Sequence, residues 1–206
     1  MLDPETLRDA FHELGTLAAE RGKVIDIAVY GGAALMLASN FRIATQDVDA
    51  VADEDQGTID EFAREIAARR QWPVDWLNDG VRTYLSPNVD GLAQDHELFA
   101  SYPDESAPGL RVFVPTPAYL LAMKLMAMRI DAAGGSQDLD DLVNLLAINR
   151  IESPAELVGF AATFYPEARV SGRLHLGLQT LWQYYQKHKP KDDNAPTYLG
   201  RPGPSP

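Results

Sequence analysis

The chain has 206 residues, of which 46% are hydrophobic and 23% are charged, a composition typical of soluble globular proteins. It contains no run of about 18 apolar residues, so the sequence predicts no transmembrane helix. The acidic, amphipathic N-terminus lacks the basic start and apolar stretch of a signal peptide, and we therefore expect a cytoplasmic protein without membrane contact. The absence of cysteine excludes disulfides and thiolate metal sites.

The charge is strongly negative and unevenly distributed. The net charge is −12, and residues 1–100 carry 8 positive and 19 negative side chains, a net of −11. An acidic protein gains nothing from counterion release, so general binding to long nucleic acids is disfavoured. The excess either forms a solvated surface that maintains solubility, or includes carboxylates that converge on a cation.

The predicted elements mix helices and strands up to residue 114 and are helical afterwards. Helices are predicted at residues 4–22, 33–39 and 58–70, and strands at 24–30, 47–52, 73–77, 96–100 and 110–114. Further helices follow at residues 117–131, 137–149, 153–164 and 171–188. This order predicts an α+β fold with a mixed sheet flanked by helices and a C-terminal helical lobe. The predicted domains are residues 1–115 and 116–188, followed by a flexible tail at 189–206.

Two aspartates in the second predicted strand suggest a metal site. Asp47 and Asp49 are two residues apart, so a strand directs both carboxylates to the same face. Such close like charges favour a cation, and Mg²⁺ prefers oxygen ligands. Asp75, in the next predicted strand, adds a third carboxylate and would suit a site for one or two Mg²⁺ ions. The alternative is an ordinary pair of surface charges.

A glycine pair separates the first predicted strand from the short helix that follows. Gly31 and Gly32 would allow backbone N–H groups to approach a phosphate, and a helix N-terminus favours an anion there. The alternative is a tight turn without a ligand. The segment has neither the dinucleotide-binding nor the P-loop glycine pattern.

The glycine pair, the Asp-x-Asp strand and Asp75, in this order, resemble the DNA polymerase β-like nucleotidyltransferase superfamily. Residues 28–51 (AVYGGAALMLASNFRIATQDVDAV) are similar to the bacterial branch that includes the AbiEii-type toxins of abortive-infection and toxin–antitoxin systems. That branch also has a lysine-bearing helix and an Asp-x-x-Asp-Leu motif. Here LLAMKLMAMR provides Lys124 and Arg129, and DLDDL provides Asp138 and Asp141.

The resemblance implies a Mg²⁺-dependent enzyme that transfers a nucleoside monophosphate from an NTP. Asp47, Asp49 and Asp75 would hold the metal, while the glycine pair and Lys124 would hold the triphosphate. Arg42 would touch a phosphate or remain a surface residue. The implied acceptor is an RNA end, such as that of tRNA, or a protein side chain, and a cognate antitoxin is an implied partner. An RNA acceptor would be expected near the more neutral C-terminal half, at Arg169, Arg173 and Lys187.

The lysine helix allows a physical argument beside the resemblance. The segment AYLLAMKLMAMRI is apolar on nearly all sides, so Lys124 should be largely buried and require an anion, unless its ammonium reaches water along its own stem. Asp138 and Asp141 lie one helical turn apart on the same face. They would position the acceptor, act as base or hold Lys124, or simply be acids at a helix N-terminus. A different class of function remains open, a non-catalytic nucleotide-binding or protein-interaction module.

Overall fold

The computed structural model describes residues 1–52, 55–128 and 136–199, and the chain divides into two compact units. The first unit comprises Met1–Thr83 and His96–Pro115, and the second comprises Tyr84–Asp95 and Thr116–Pro206. The predicted domain boundary near residue 115 and the flexible tail stay predictions.

The first unit contains a five-stranded mixed sheet and three helices. The helices are α1 (Pro4–Glu20), α2 (Gly31–Ala38) and α3 (Gln56–Arg70). The strands are β1 (Ile25–Val29), β2 (Val48–Val51), β3 (Leu77–Asn78), β4 (His96–Tyr102) and β5 (Leu110–Pro115). The sheet order is β3-β2-β1-β5-β4. The pairs β1–β5 and β2–β3 are parallel, whereas β1–β2 and β4–β5 are antiparallel.

The two faces of the sheet differ in chemistry. One face is apolar, and none of its residues in the four strands β1, β2, β3 and β5 is more than 4% exposed: Ile25, Ile27, Val29, Val48, Ala50, Leu77, Leu110, Val112 and Val114. Alternation along the strands and the pairing register give the opposite face its polar residues: Asp26, Tyr30, Asp49, Asn78, His96 and Arg111. The bidentate ion pair of Asp26 with Arg111, at 2.6 and 2.7 Å, bridges neighbouring strands on this polar face. The polar face is therefore where chemistry can occur.

Helix α1 begins as the sequence predicts. The Thr6 N–H donates to Asp3 Oδ1 at 2.8 Å, and Pro4 occupies the first helical position, where no N–H is needed. Its buried stripe includes Leu7, Phe11 and Leu14, and the helix contacts both β4 and β5. Helix α3 likewise buries Ile59, Phe62, Ile66 and Ala67, the face that its periodicity predicts.

The second unit is helical. Its helices are α4 (Pro117–Ala127), α5 (Ser136–Ile148), α6 (Pro154–Phe164) and α7 (Glu167–His188). Two tyrosines of this unit, Tyr119 in α4 and Tyr165 just after α6, fix the segment before α4. The Ser86 N–H donates to Tyr119 Oη at 3.0 Å, and Tyr165 Oη donates to the Tyr84 carbonyl at 2.6 Å. In the described part of the predicted tail, Tyr198 is only 4% exposed.

The α+β fold with a mixed sheet flanked by helices is confirmed. One predicted element is wrong, because residues 73–77 do not form a strand. Pro73 instead begins a turn, closed where the Trp76 N–H donates to the Pro73 carbonyl at 3.2 Å, and the strand starts at Leu77. Across the described ranges, no helix has both the length and the apolar character needed to cross a membrane.

Candidate active site

The glycine pair lies directly against Asp49. Helix α2 begins at Gly31, whose φ of +60° is unfavourable for residues with a side chain. A Cβ atom on Gly31 would lie 2.7 Å from Asp49 Oδ2. The Tyr30 N–H donates to the Asp49 carbonyl at 2.8 Å, which ties the end of β1 to β2. Glycine is therefore required at position 31 both for the backbone angle and for the approach of the carboxylate.

The absence of a side chain at Gly32 allows the loop that precedes β2 to approach the start of α2. A Cβ atom on Gly32 would lie 2.9 Å from Arg42 Nη2 and 2.9 Å from Thr45 Oγ1. Thr45 is 4% exposed, and its hydroxyl donates to the Asp47 carbonyl at 3.0 Å. The Arg42 Nε–H donates to the Ala44 carbonyl at 2.8 Å, which holds the guanidinium on this side of the loop. The loop thus brings a cation and the backbone of Asp47 to the glycine turn.

Two of the three predicted metal ligands, Asp47 and Asp49, differ in their surroundings. Asp49 is half-buried within β2, between the buried residues Val48 and Ala50. Asp47 is exposed and lies just before the strand, which begins one residue later than the sequence predicts. The structure brings Gly31, Gly32, Arg42 and Asp49 together, with Asp47 two residues from Asp49.

The sequence predicts that Asp75 joins this group from a strand, and this prediction of a strand is wrong. Asp75 is exposed in the turn before β3, while its neighbour Trp76 is 2% exposed and donates from Nε1 to the Ala63 carbonyl at 2.9 Å. Val74 and Trp76 gave this segment the composition of a strand, but Val74 lies in a turn and Trp76 serves as an anchor to α3. Among the side chains that the structure describes, no three from His, Cys, Asp or Glu form a group that could hold a metal ion.

Two residues on the polar face were not expected to interact. Tyr30 Oη and His96 Nε2 are 2.9 Å apart, and their rings meet edge-on with centroids 5.7 Å apart. Tyr30 is 3% exposed, and His96 is half-buried on β4. No local signal reveals this pair, because its members are 66 positions apart and meet only through the sheet.

A second cluster of predicted site residues lies in the helical unit. Lys124 is 13% exposed, as its apolar helix predicts, and its Nζ lies 2.9 Å from Asp141 Oδ2 and 3.3 Å from Asp138 Oδ1. Asp141 is 3% exposed, whereas Asp138 is 81% exposed. The anion that accompanies the buried ammonium is therefore Asp141, and the lysine does not extend fully to water.

Of three other predicted residues, the structure describes the side chain of Arg169. Arg129 and the Arg173 side chain lie outside the described residues. The Arg169 guanidinium lies 5.4 Å from the centre of the Tyr165 ring, a cation–π contact.

The chemistry of the glycine turn fits a hard divalent cation. Its donors are carboxylate oxygens, which Mg²⁺ prefers, and Asp49 is only half exposed to competing water. The mixed sheet flanked by helices, with Asp49 of the Asp-x-Asp segment beside a glycine turn, is a nucleotidyltransferase-like fold.

Comparison with known protein families identifies the family of the chain. A family model described as "nucleotidyltransferase of unknown function (DUF6036)" matches residues 5–158, and the chain belongs to this family. The searches of curated proteins and of solved structures found no match.

Proposed function

We propose that this protein is a Mg²⁺-dependent nucleotidyltransferase that transfers a nucleoside monophosphate from an NTP to an RNA or protein acceptor. The observation that carries the proposal is the position of Asp49 Oδ2, which would lie 2.7 Å from a Cβ atom on Gly31, in a chain that belongs to a nucleotidyltransferase family. Because Gly31 has no side chain, the carboxylate lies beside open backbone at the start of α2. A group suited to a metal ion and groups suited to phosphate are therefore close together.

The roles follow from the chemistry of each group. The first N–H groups of α2 have no partner within the helix and suit phosphate oxygens, and Arg42 adds positive charge beside them. Asp47 and Asp49 would hold Mg²⁺, which supplies charge neutralisation at the reacting phosphate when bound. Thr45 fixes the backbone of Asp47. The chain's own contribution is positioning and electrostatic stabilisation.

The reaction is an in-line displacement at the α-phosphate. An acceptor hydroxyl forms the new O–P bond, the bond between the α-phosphorus and the bridging oxygen breaks, and pyrophosphate leaves. The acceptor's proton passes to solvent water as the O–P bond forms. Asp138 is exposed at the start of α5 in the second unit. The Lys124 contact with Asp141 favours a role in which Asp141 holds the lysine in place.

The experiment that tests the activity uses NTPs labelled at either the α- or the γ-phosphate, with Mg²⁺, total RNA and a protein extract. Nucleotidyl transfer predicts incorporation of the α-label only, with release of labelled pyrophosphate from the γ-labelled substrate. Separating RNA from protein then identifies the acceptor class. Incorporation of the γ-label instead would show phosphoryl transfer, and no incorporation of either label would contradict the proposal.

The resemblance to AbiEii-type proteins extends the proposal to a toxin with a cognate antitoxin. Expression should then arrest growth, while Asp49→Asn, made at the same level, should not. Growth at the normal rate with active enzyme present would remove the toxin role and leave the transferase activity intact.

One observation favours a second candidate, a catalytically degenerate nucleotide-binding or interaction module of the same fold. Within the described part of the chain, Asp47 and Asp49 do not belong to any metal-holding group of three acidic or histidine side chains, and the residue paired with Asp49 on β3 is Asn78. Such a module predicts NTP binding without incorporation of any label.

A further inference from the structure

The edge strand β3 brings Asn78 to the side of Asp49. The strands β2 and β3 are parallel, with Val48 paired to Leu77 and Asp49 paired to Asn78. Paired residues on neighbouring strands are about 4.8 Å apart and direct their side chains to the same face. Asn78 is therefore the side chain of β3 that lies beside the Asp49 carboxylate.

Burial confirms which face Asn78 occupies. Leu77, its neighbour on β3, is 4% exposed and belongs to the apolar face with Val48. Asn78 alternates to the opposite face and is half-buried, as Asp49 is. Asp75 lies three residues earlier in an exposed turn, outside the paired strand.

The Asn78 amide is held in a fixed orientation. Its Oδ1 accepts from the Gly80 N–H at 2.9 Å, and its Nδ2 donates to the Asp75 carbonyl at 3.4 Å. A Cβ atom on Gly80 would lie 3.0 Å from Oδ1, so glycine permits this approach. These contacts restrict the amide while leaving its carbonyl oxygen a second lone pair.

We propose that Asn78, rather than the predicted Asp75, provides the third oxygen of the metal site. The proposal rests on the proposed function, because it assumes that Asp49 binds a divalent cation. Amide carbonyl oxygens are ordinary ligands of hard cations. Two carboxylates and one amide carry a charge of −2, which balances one divalent ion, and fewer carboxylates weaken cation affinity. The site thus holds its cation more weakly than three carboxylates would.

The test measures Mn²⁺ and Mg²⁺ binding to the full chain by calorimetry, without nucleotide, so the readout does not depend on activity. Asn78→Asp keeps an oxygen acceptor for the Gly80 N–H and adds a negative charge beside Asp49, so affinity should rise about tenfold or more. Asn78→Ala should lose roughly ten- to hundredfold in affinity, the range for removing a supporting group at a metal site. The matched control Asp75→Asn should leave affinity unchanged.

The variants also separate this inference from the function on which it rests. Unchanged affinity in Asn78→Asp, with Asp49→Asn losing binding, would overturn the role of Asn78 and leave the transferase proposal in place. Retention of binding in Asp49→Asn would instead contradict the proposed metal site itself. If Asn78→Ala fails to fold by circular dichroism, the near-isosteric Asn78→Leu removes the oxygen while keeping the side-chain volume. Wild-type affinity in folded Asn78→Leu would overturn the role of Asn78.

Discussion

Gly31 and Asp49 are so close that a side chain at position 31 would require the carboxylate to move. The Cβ of an alanine there would lie 2.7 Å from Asp49 Oδ2, and φ at this residue is +60°. We predict that Gly31→Ala lowers nucleotidyl transfer more than tenfold and costs about 1–2 kcal/mol of stability for the left-handed backbone. Label incorporation and urea unfolding measure the two effects.

The control for this substitution is Gly57→Ala in α3. No atom lies within 4 Å of a Cβ placed on Gly57, which is exposed. Alanine should therefore leave activity unchanged and raise the free energy of unfolding by up to about 1 kcal/mol. Equal activity in Gly31→Ala and wild type would show that the glycine turn is not part of the site.

The Lys124 cluster predicts a contrast between two aspartates. Asp141 is 3% exposed and Asp138 is 81% exposed, although both contact the Lys124 ammonium. Asp141→Ala leaves a buried ammonium without its closest anion and should lower the free energy of unfolding by about 3–5 kcal/mol. Asp138→Ala removes an exposed partner and should cost less than about 1 kcal/mol.

Urea unfolding of both variants measures this contrast, with Lys124→Met as a further control. Lys124→Met combined with Asp141→Ala should be more stable than Asp141→Ala alone, because no unpaired charge remains. Equal costs for the two aspartates would contradict the assignment of Asp141 as the structural partner.

Tyr165 predicts a loss of stability in alkaline solution. Burial raises the pKa of Tyr165 above its ordinary value near 10, and its hydroxyl donates to the Tyr84 carbonyl. Because the folded pKa is the higher one, this contribution is fully present below pH 10 and decreases as the pH rises toward the folded pKa. The free energy of unfolding should therefore fall above pH 10, and less steeply in Tyr165→Phe. Identical slopes for the variant and wild type would contradict this role.

Much of the fold follows from local sequence. The β-branched run in β1, the apolar stripe of α3 and the Asp3-Pro4 start of α1 each specify an element that the structure contains. The sequence likewise predicts that the glycine pair and the Asp-x-Asp segment belong to one site, because both lie within a stretch of 19 residues, 31–49. Local patterns suffice where the residues that determine a feature are close in sequence.

The rest of the site depends on pairing between distant segments. Asn78 faces Asp49 only because β3 adds to the edge of β2 in one particular register, and Tyr30 meets His96 across β5. The apolar neighbours Val74 and Trp76 predict a strand around Asp75, but Val74 is 72% exposed and Trp76 anchors a turn to α3. Strand propensity did not distinguish a buried anchor from a strand, and tertiary context decided the outcome.

The proposed function depends on Asp49, whose carboxylate beside the glycine turn would hold the metal of nucleotidyl transfer. The most direct measurement is incorporation of α-labelled NTP by Asp49→Asn, with Asp75→Asn as the matched control and circular dichroism to confirm both folds. We expect Asp49→Asn to abolish incorporation, while Asp75→Asn, which changes an exposed turn, retains it. Incorporation by folded Asp49→Asn at the wild-type rate would show that this carboxylate does not hold the metal.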